Sequence, residues 1–217
     1  MKMKRLVALV LLLAALATQA TIYSTNWNSG VNATFVNNGI VPDGSFTGWV
    51  DSRNVSAPAG TISSLSVSLN LTGGWNGDLY AYLVHGSGFT VLLDRVGYTG
   101  SGLGYSTSGM NVIFTAGGPS IETTPVPLSG GSYSPDPSYA GSLNSFTGLS
   151  GSGTWSLFVA DLNSGDITTV SSWGLQMDIV AVPETETWVA AALAGAFGAF
   201  WLSRQISGSV RKSSSVS

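Results

Sequence analysis

Asp78, Asp161 and Asp166 are the residues of this sequence best suited to chemistry, and the chemistry they suit is the binding of a hard cation. Ca2+ takes carboxylate and loop-carbonyl oxygens. Asp78 closes the stretch Gly73-Gly74-Trp75-Asn76-Gly77-Asp78, and Asp161 and Asp166 bracket Leu162-Asn163-Ser164-Gly165. The spacing matches no EF-hand loop, and aspartates in such stretches also bond their own backbone; turn capping is the alternative. Asp161 and Asp166 flanking a turn also suggest the paired carboxylates of a glycoside hydrolase. His85, the sole histidine, sits beside Gly86 at a strand end, where a plain polar residue is the simpler reading than a general base. Without cysteine there is no thiolate catalysis, no disulfide and no thiolate metal site. The chain is therefore expected to be non-catalytic. Trp75, placed in a turn, is the foremost candidate for an exposed ring that stacks on a sugar, with Tyr80, Tyr82, Tyr98, Tyr105, Tyr133 and Tyr139 as further candidates.

Strands must position these residues. Leu65, Val67, Leu69 and Leu71 alternate with Ser66, Ser68 and Asn70, the pattern of a strand with one buried face. Residues 79–85 and 89–94 read as a hairpin around Gly86-Ser87-Gly88, and 111–115 as a short strand. Residues 46–50 and 53–55 suit edge strands after a turn at 40–44. Trp155, Leu157 and Val159 fall on one face of a strand, and Trp173, Leu175, Met177 and Ile179 on one face of another. A polar turn separates them, and the pair is expected to be antiparallel and half-buried. Residues 96–109 are a Gly-rich loop, and 116–153 show little periodicity. No helical pattern appears between 21 and 180. Short strands with Gly-rich turns predict an all-β sandwich or jelly roll.

Charge separates the body from its ends. Between residues 21 and 182 two basic residues, Arg53 and Arg95, stand against nine acidic ones, a net of −7. Such a body has no footprint for nucleic acid. Residues 1–20 carry Lys2, Lys4 and Arg5, then an apolar run and small residues. This is the layout of a secretory signal peptide cut by signal peptidase, with the small-x-small rule met after Ala17 and, the boundary taken here, between Ala20 and Thr21. At the other end an uncharged apolar run, 188–202, begins at Trp188 and ends at Leu202, with Arg204 beyond. Its fifteen residues make a helix of about 22 Å, short against a hydrocarbon core of about 30 Å. The flanking Trp and Arg suit a membrane segment with its tail inside.

Two resemblances extend this reading. Residues 39–181, through Gly77-Asp78-Leu79, the hairpin that follows and the closing Gly153-Thr154-Trp155-Ser156-Leu157 and Ser172-Trp173-Gly174-Leu175, resemble a P domain (Homo B domain) of subtilisin-like proprotein convertases. The resemblance implies an eight-stranded jelly-roll β-sandwich, non-catalytic, in a family of which some members bind Ca2+. Val182-Pro183-Glu184, the apolar run and the basic tail within 182–212 resemble a PEP-CTERM sorting signal, with Thr185 where a second proline is usual and 213–217 as an added tail. That resemblance implies export, retention in the membrane, cleavage by an exosortase-type protease, and delivery to the cell surface or extracellular polymer. Residues 21–38 are then the N-terminal segment of the mature chain. Two other functions remain open: a module that binds extracellular polysaccharide, and an accessory to a subtilisin-like protease acting in trans.

Overall fold

A computed structural model describes residues 29–123, 128–135, 142–181, 193 and 195. The signal peptide with its Ala20/Thr21 junction, the Val182-Pro183-Glu184 motif, Trp188, Leu202, Arg204 and Tyr139 lie outside these residues. The chain divides into two units, 1–180 and 181–217. In the second, Leu193 and Gly195 are helical. Among the described residues no helix is long and apolar enough to cross a membrane.

The first unit is an all-β sandwich. Its strands are β1 (Ser29–Ile40), β2 (Ser45–Val55), β3 (Thr61–Gly73), β4 (Leu79–His85), β5 (Gly88–Asp94), β6 (Met110–Phe114), β7 (Leu128–Tyr133), β8 (Gly153–Asp161) and β9 (Thr168–Val180). One sheet has the order β1-β9-β3-β6-β7 and the other β2-β8-β4-β5. The sandwich takes in β1, which begins ahead of the expected boundary at Gly39 and pairs with β9 along most of its length. The two closing strands differ from the expected adjacent pair. β8 lies in the four-stranded sheet and β9 in the five-stranded one, so the 162–167 segment crosses between sheets.

The alternation of each strand explains the core. Trp155, Leu157 and Val159 of β8 are fully buried, as are Trp173, Leu175 and Met177 of β9, and both sets join one cluster with Leu65, Val67, Leu69, Leu79, Ala81 and Leu83. The unpatterned stretch 116–153 also contributes. A one-turn 3-10 helix at Ile121–Thr123 buries Ile121, and another at Leu143–Phe146 buries Leu143 and Phe146. β7 runs parallel to β6 at the sheet edge. Its sequence, Leu-Ser-Gly-Gly-Ser-Tyr, has no alternation to announce it.

Buried indoles need partners for their N–H groups. Trp155 Nε1 donates to the Gly151 carbonyl at 3.1 Å, and Trp173 Nε1 donates to Asp51 Oδ2 at 2.7 Å. Arg53 Nε donates to the same Oδ2 at 2.8 Å. Burial raises the Asp51 pKa, but bonds from Arg53, Trp173 and Asn37, with the Arg53 charge, outweigh burial and hold it below the usual carboxylate value. A depressed carboxylate stabilises the fold above its unfolded pKa and loses that contribution as pH falls through the folded value. Asp51→Ala is expected to cost about 1–3 kcal/mol at neutral pH by orphaning the Trp173 N–H. In urea titrations the carboxylate's share of that deficit should shrink as pH falls below the ordinary carboxylate range, and a pH-independent deficit would contradict it.

Candidate functional site: the acidic end of the sandwich

Three connections meet at one end of the sandwich. The turn at 42–44 joins β1 to β2, the 3-10 helix Asn76–Asp78 joins β3 to β4, and the 162–167 crossover joins β8 to β9. Backbone bonds tie them: Leu162 N–H to the Asp78 carbonyl at 2.9 Å, and Val41 N–H to the Thr168 carbonyl at 2.9 Å. Leu79 and Ser45 both pair with Asp161, on either side of β8. Asp43 accepts the Gly165 N–H with both oxygens, at 3.1 and 3.2 Å, and so caps the crossover.

The structure brings Asp78 and Asp161 to this end and buries both, at 5% and 1% exposure. Thr168 Oγ1 donates to Asp161 Oδ2 at 3.0 Å. The Oδ1 atoms of Asp78 and Asp161 are each buried without a hydrogen-bond partner. Asn76 Oδ1 is orphaned in the same way, although its Nδ2 donates to Thr107 Oγ1 and the Gly109 carbonyl at 2.9 and 3.0 Å. The other orphaned side-chain atoms among the described residues are Trp75 Nε1 and Arg95 Nε. Trp75 caps the Asn76–Asp78 helix, and the Arg95 N–H bonds the Leu79 carbonyl, so both belong to this region. Buried polar atoms are nearly always paired, and a group of orphans points to water or an ion.

The electrostatics agree. Desolvation pushes the Asp78 pKa up; the Arg95 charge and a bond from Asn163 offset part of this, while Asp166 and Asp43 add to it. Desolvation also pushes Asp161 up, against bonds from Thr168 and the Asn163 backbone, with the charges of Asp43 and Asp78 adding to the rise. Two carboxylates in one desolvated region disfavour each other's charge. Two carboxylate oxygens and an amide oxygen are donors of the kind Ca2+ takes. Asp166 does not join them. It is exposed, and among the described residues no three acidic or histidine side chains are grouped to hold a metal. The expected three-carboxylate site is thus reduced to the buried Asp78–Asp161 pair, with Asn76 two residues ahead of Asp78 in the chain. Asn76 was missed because amides abound in turns, and sequence does not show which amide oxygen is left unpaired.

The remaining candidates lie elsewhere or are already engaged. Trp75 is half-buried, with its indole N–H shut off from solvent, rather than the exposed turn residue expected. Tyr82 stacks on Phe158 at 4.6 Å and 15°, and contacts Tyr80 and Phe89, so its ring face is spent on cross-strand packing. Tyr98 is covered by the Arg95 guanidinium at 3.8 Å, and Tyr105 and Tyr133 pack against the core. His85 stacks on Trp155 at 4.1 Å, with Nδ1 2.9 Å from the Thr154 carbonyl and Nε2 2.7 Å from the Ser150 carbonyl. Both ring nitrogens therefore face backbone.

Raised carboxylate pKa values carry a defined sign. The folded state is penalised for holding the charged forms at neutral pH, and the penalty is relieved as pH falls through the raised values. With chelator present at about pH 7, Asp161→Asn is expected to melt higher than wild type, and the gap to close towards about pH 4. A variant that melts lower than wild type throughout would show that the Asp161 charge is compensated.

No family model and no curated protein matches the chain. Among solved structures it is similar to a chain in a complex of the Aeromonas sobria serine protease and the chaperone, at 15% identity and a TM-score of 0.43, covering 76% of this chain and 30% of that one. It is also similar to a structure of the serine protease of Aeromonas sobria, at 13% identity and a TM-score of 0.39, covering 73% and 28%. The chain thus spans less than a third of the length of the chains it matches.

Proposed function

We propose that this chain is an exported, non-catalytic β-sandwich module of jelly-roll type, with an acidic end ordered by Ca2+. The observation that carries the reading is the buried Asp78–Asp161 pair, each aspartate with an orphaned oxygen. Bound Ca2+ supplies the positive charge and oxygen coordination that this pair lacks. Asp78 fixes the start of β4, Asp161 fixes the end of β8, and together they hold the crossover to β9 in a domain without disulfides. Extracellular calcium modules work at dissociation constants of about 10⁻⁴–10⁻³ M. A site with two carboxylates and a nearby arginine suits that range, and so suits a protein that loads outside the cell.

Export rests on the sequence layout. The 1–20 segment directs secretion, and the 182–212 segment retains the chain until an exosortase-type protease removes it. The product is delivered to the cell surface or extracellular polymer. An accessory role to a subtilisin-like protease in trans is a second reading, favoured by the P-domain resemblance around Gly77-Asp78-Leu79. Co-purification of such a protease from calcium-replete extracts would favour it over a free-standing module.

Two measurements test the proposal. Millimolar Ca2+ should raise the melting temperature of the exported protein by several degrees over chelator, Mg2+ should do far less, and Asp161→Asn should abolish the response; an ion-independent melt would remove calcium from the reading. Intact mass of the protein recovered outside its cells should give a chain starting near Thr21 and ending between 182 and 187. A full-length tail confined to membranes would contradict the sorting role.

A further inference from the structure

The outer face of the five-stranded sheet carries a second feature, independent of calcium. Side chains opposite the core on β1, β9, β3 and β6 form two adjoining rows. One is Asn32, Gln176 and Ser66; the next is Thr34, Gly174, Ser68 and Ile113. Gly174 makes the second row discontinuous. A Cβ there would stand 2.5 Å from the Ala33 carbonyl oxygen and 2.7 Å from Ser68 Oγ, so no side chain fits. The same face holds a groove of about 170 Å³ lined by Asn32, Ser66, Ser68, Ile113, Leu175 and Gln176.

The chemistry of this groove is specific. Two amides and two hydroxyls line it, and none of the four has a side-chain hydrogen-bond partner among the described residues. Each amide offers an acceptor and two donors, and each hydroxyl offers both roles. Ile113, 44% exposed, adds an apolar wall. No lysine, arginine or histidine lines the groove to attract an anion, and no carboxylate lines it to hold a cation. The nearest acid in the adjoining row, Asp178, accepts a bond from Ser64 Oγ at 2.6 Å. A ligand that matches is neutral, dense in hydroxyls and apolar on one face, which describes a pyranose ring.

We propose that this groove binds one sugar unit of a neutral polysaccharide, Asn32 and Gln176 bonding its hydroxyls and Ile113 packing on its C–H face. The test is affinity electrophoresis of the exported protein in gels holding a neutral glucan, a neutral galactomannan, or anionic alginate, with chelator present throughout. Retardation is expected in at least one neutral gel and not in alginate. Gln176→Ala and Asn32→Ala should each weaken it by about tenfold, the loss of one or two hydrogen bonds, while leaving the melting temperature unchanged. Trp75→Ala should leave retardation intact. Mobility unchanged in both neutral gels would overturn the proposal. So would retardation in alginate alone, or retardation lost with Trp75→Ala and kept in both groove variants. Because chelator is present, none of these outcomes depends on the acidic pair.

Discussion

The fold depends on burying two tryptophan-bearing strand faces from opposite sheets while keeping both indole N–H groups bonded. Trp155 and Trp173 are the largest fully buried side chains. Their strands run in different sheets, so the core is the layer between them. A buried N–H without an acceptor costs about 1–3 kcal/mol. The acceptors come from outside the two strands: the Gly151 carbonyl just before β8, and the Asp51 carboxylate of edge strand β2. The second bond ties β2 of one sheet to β9 of the other, and so closes one side of the sandwich.

The same division of strands between sheets sets up the acidic end. Because β8 and β9 occupy different sheets, their connection must cross the end of the sandwich, where it meets the β1–β2 turn and the start of β4. Asp43 secures the crossing with both oxygens, leaving Asp78 and Asp161 buried beside it. Asp51 differs from this pair. Asp51 is paired and holds its charge readily, whereas Asp78 and Asp161 are desolvated and hold theirs at a cost. Burial acts on all three, and the balance of donors and neighbouring charges separates them. The same lack of donors that makes the pair costly alone makes it fit a cation.

The two faces of the five-stranded sheet divide the labour in another way. Inward residues are large and apolar; outward ones are mainly serine, asparagine, threonine and glutamine, with exposed Val36, Ile113 and Val180 and the charged Asp178 among them. In a body whose few charges are mostly acidic, such a face neither repels a neutral polymer nor recruits an ionic one. Gly174 belongs to both sides of this arrangement. Close approach of the Ala33 carbonyl on one side and of Ser68 Oγ on the other demands its lack of a side chain.

Much of this was legible in the sequence wherever alternation was strong. The buried faces of β3, β8 and β9, the β4–β5 hairpin and the core placement of Trp155 and Trp173 follow from period-two patterning, because a strand sends successive side chains to opposite faces. The all-β class and the absence of thiol chemistry follow from composition. Tertiary structure alone decided which strands pair. Alternation says which face is buried but not which neighbour covers it, so β8 and β9 read as partners when they are opposed. It also decided which aspartates matter. Asp78, Asp161 and Asp166 look alike in turn-forming sequence, and only packing made the first two buried and the third exposed. β7 and the buried Ile121, Leu143 and Phe146 stayed hidden because their contacts are long-range, and isolated apolar residues among glycines and serines leave no period to read.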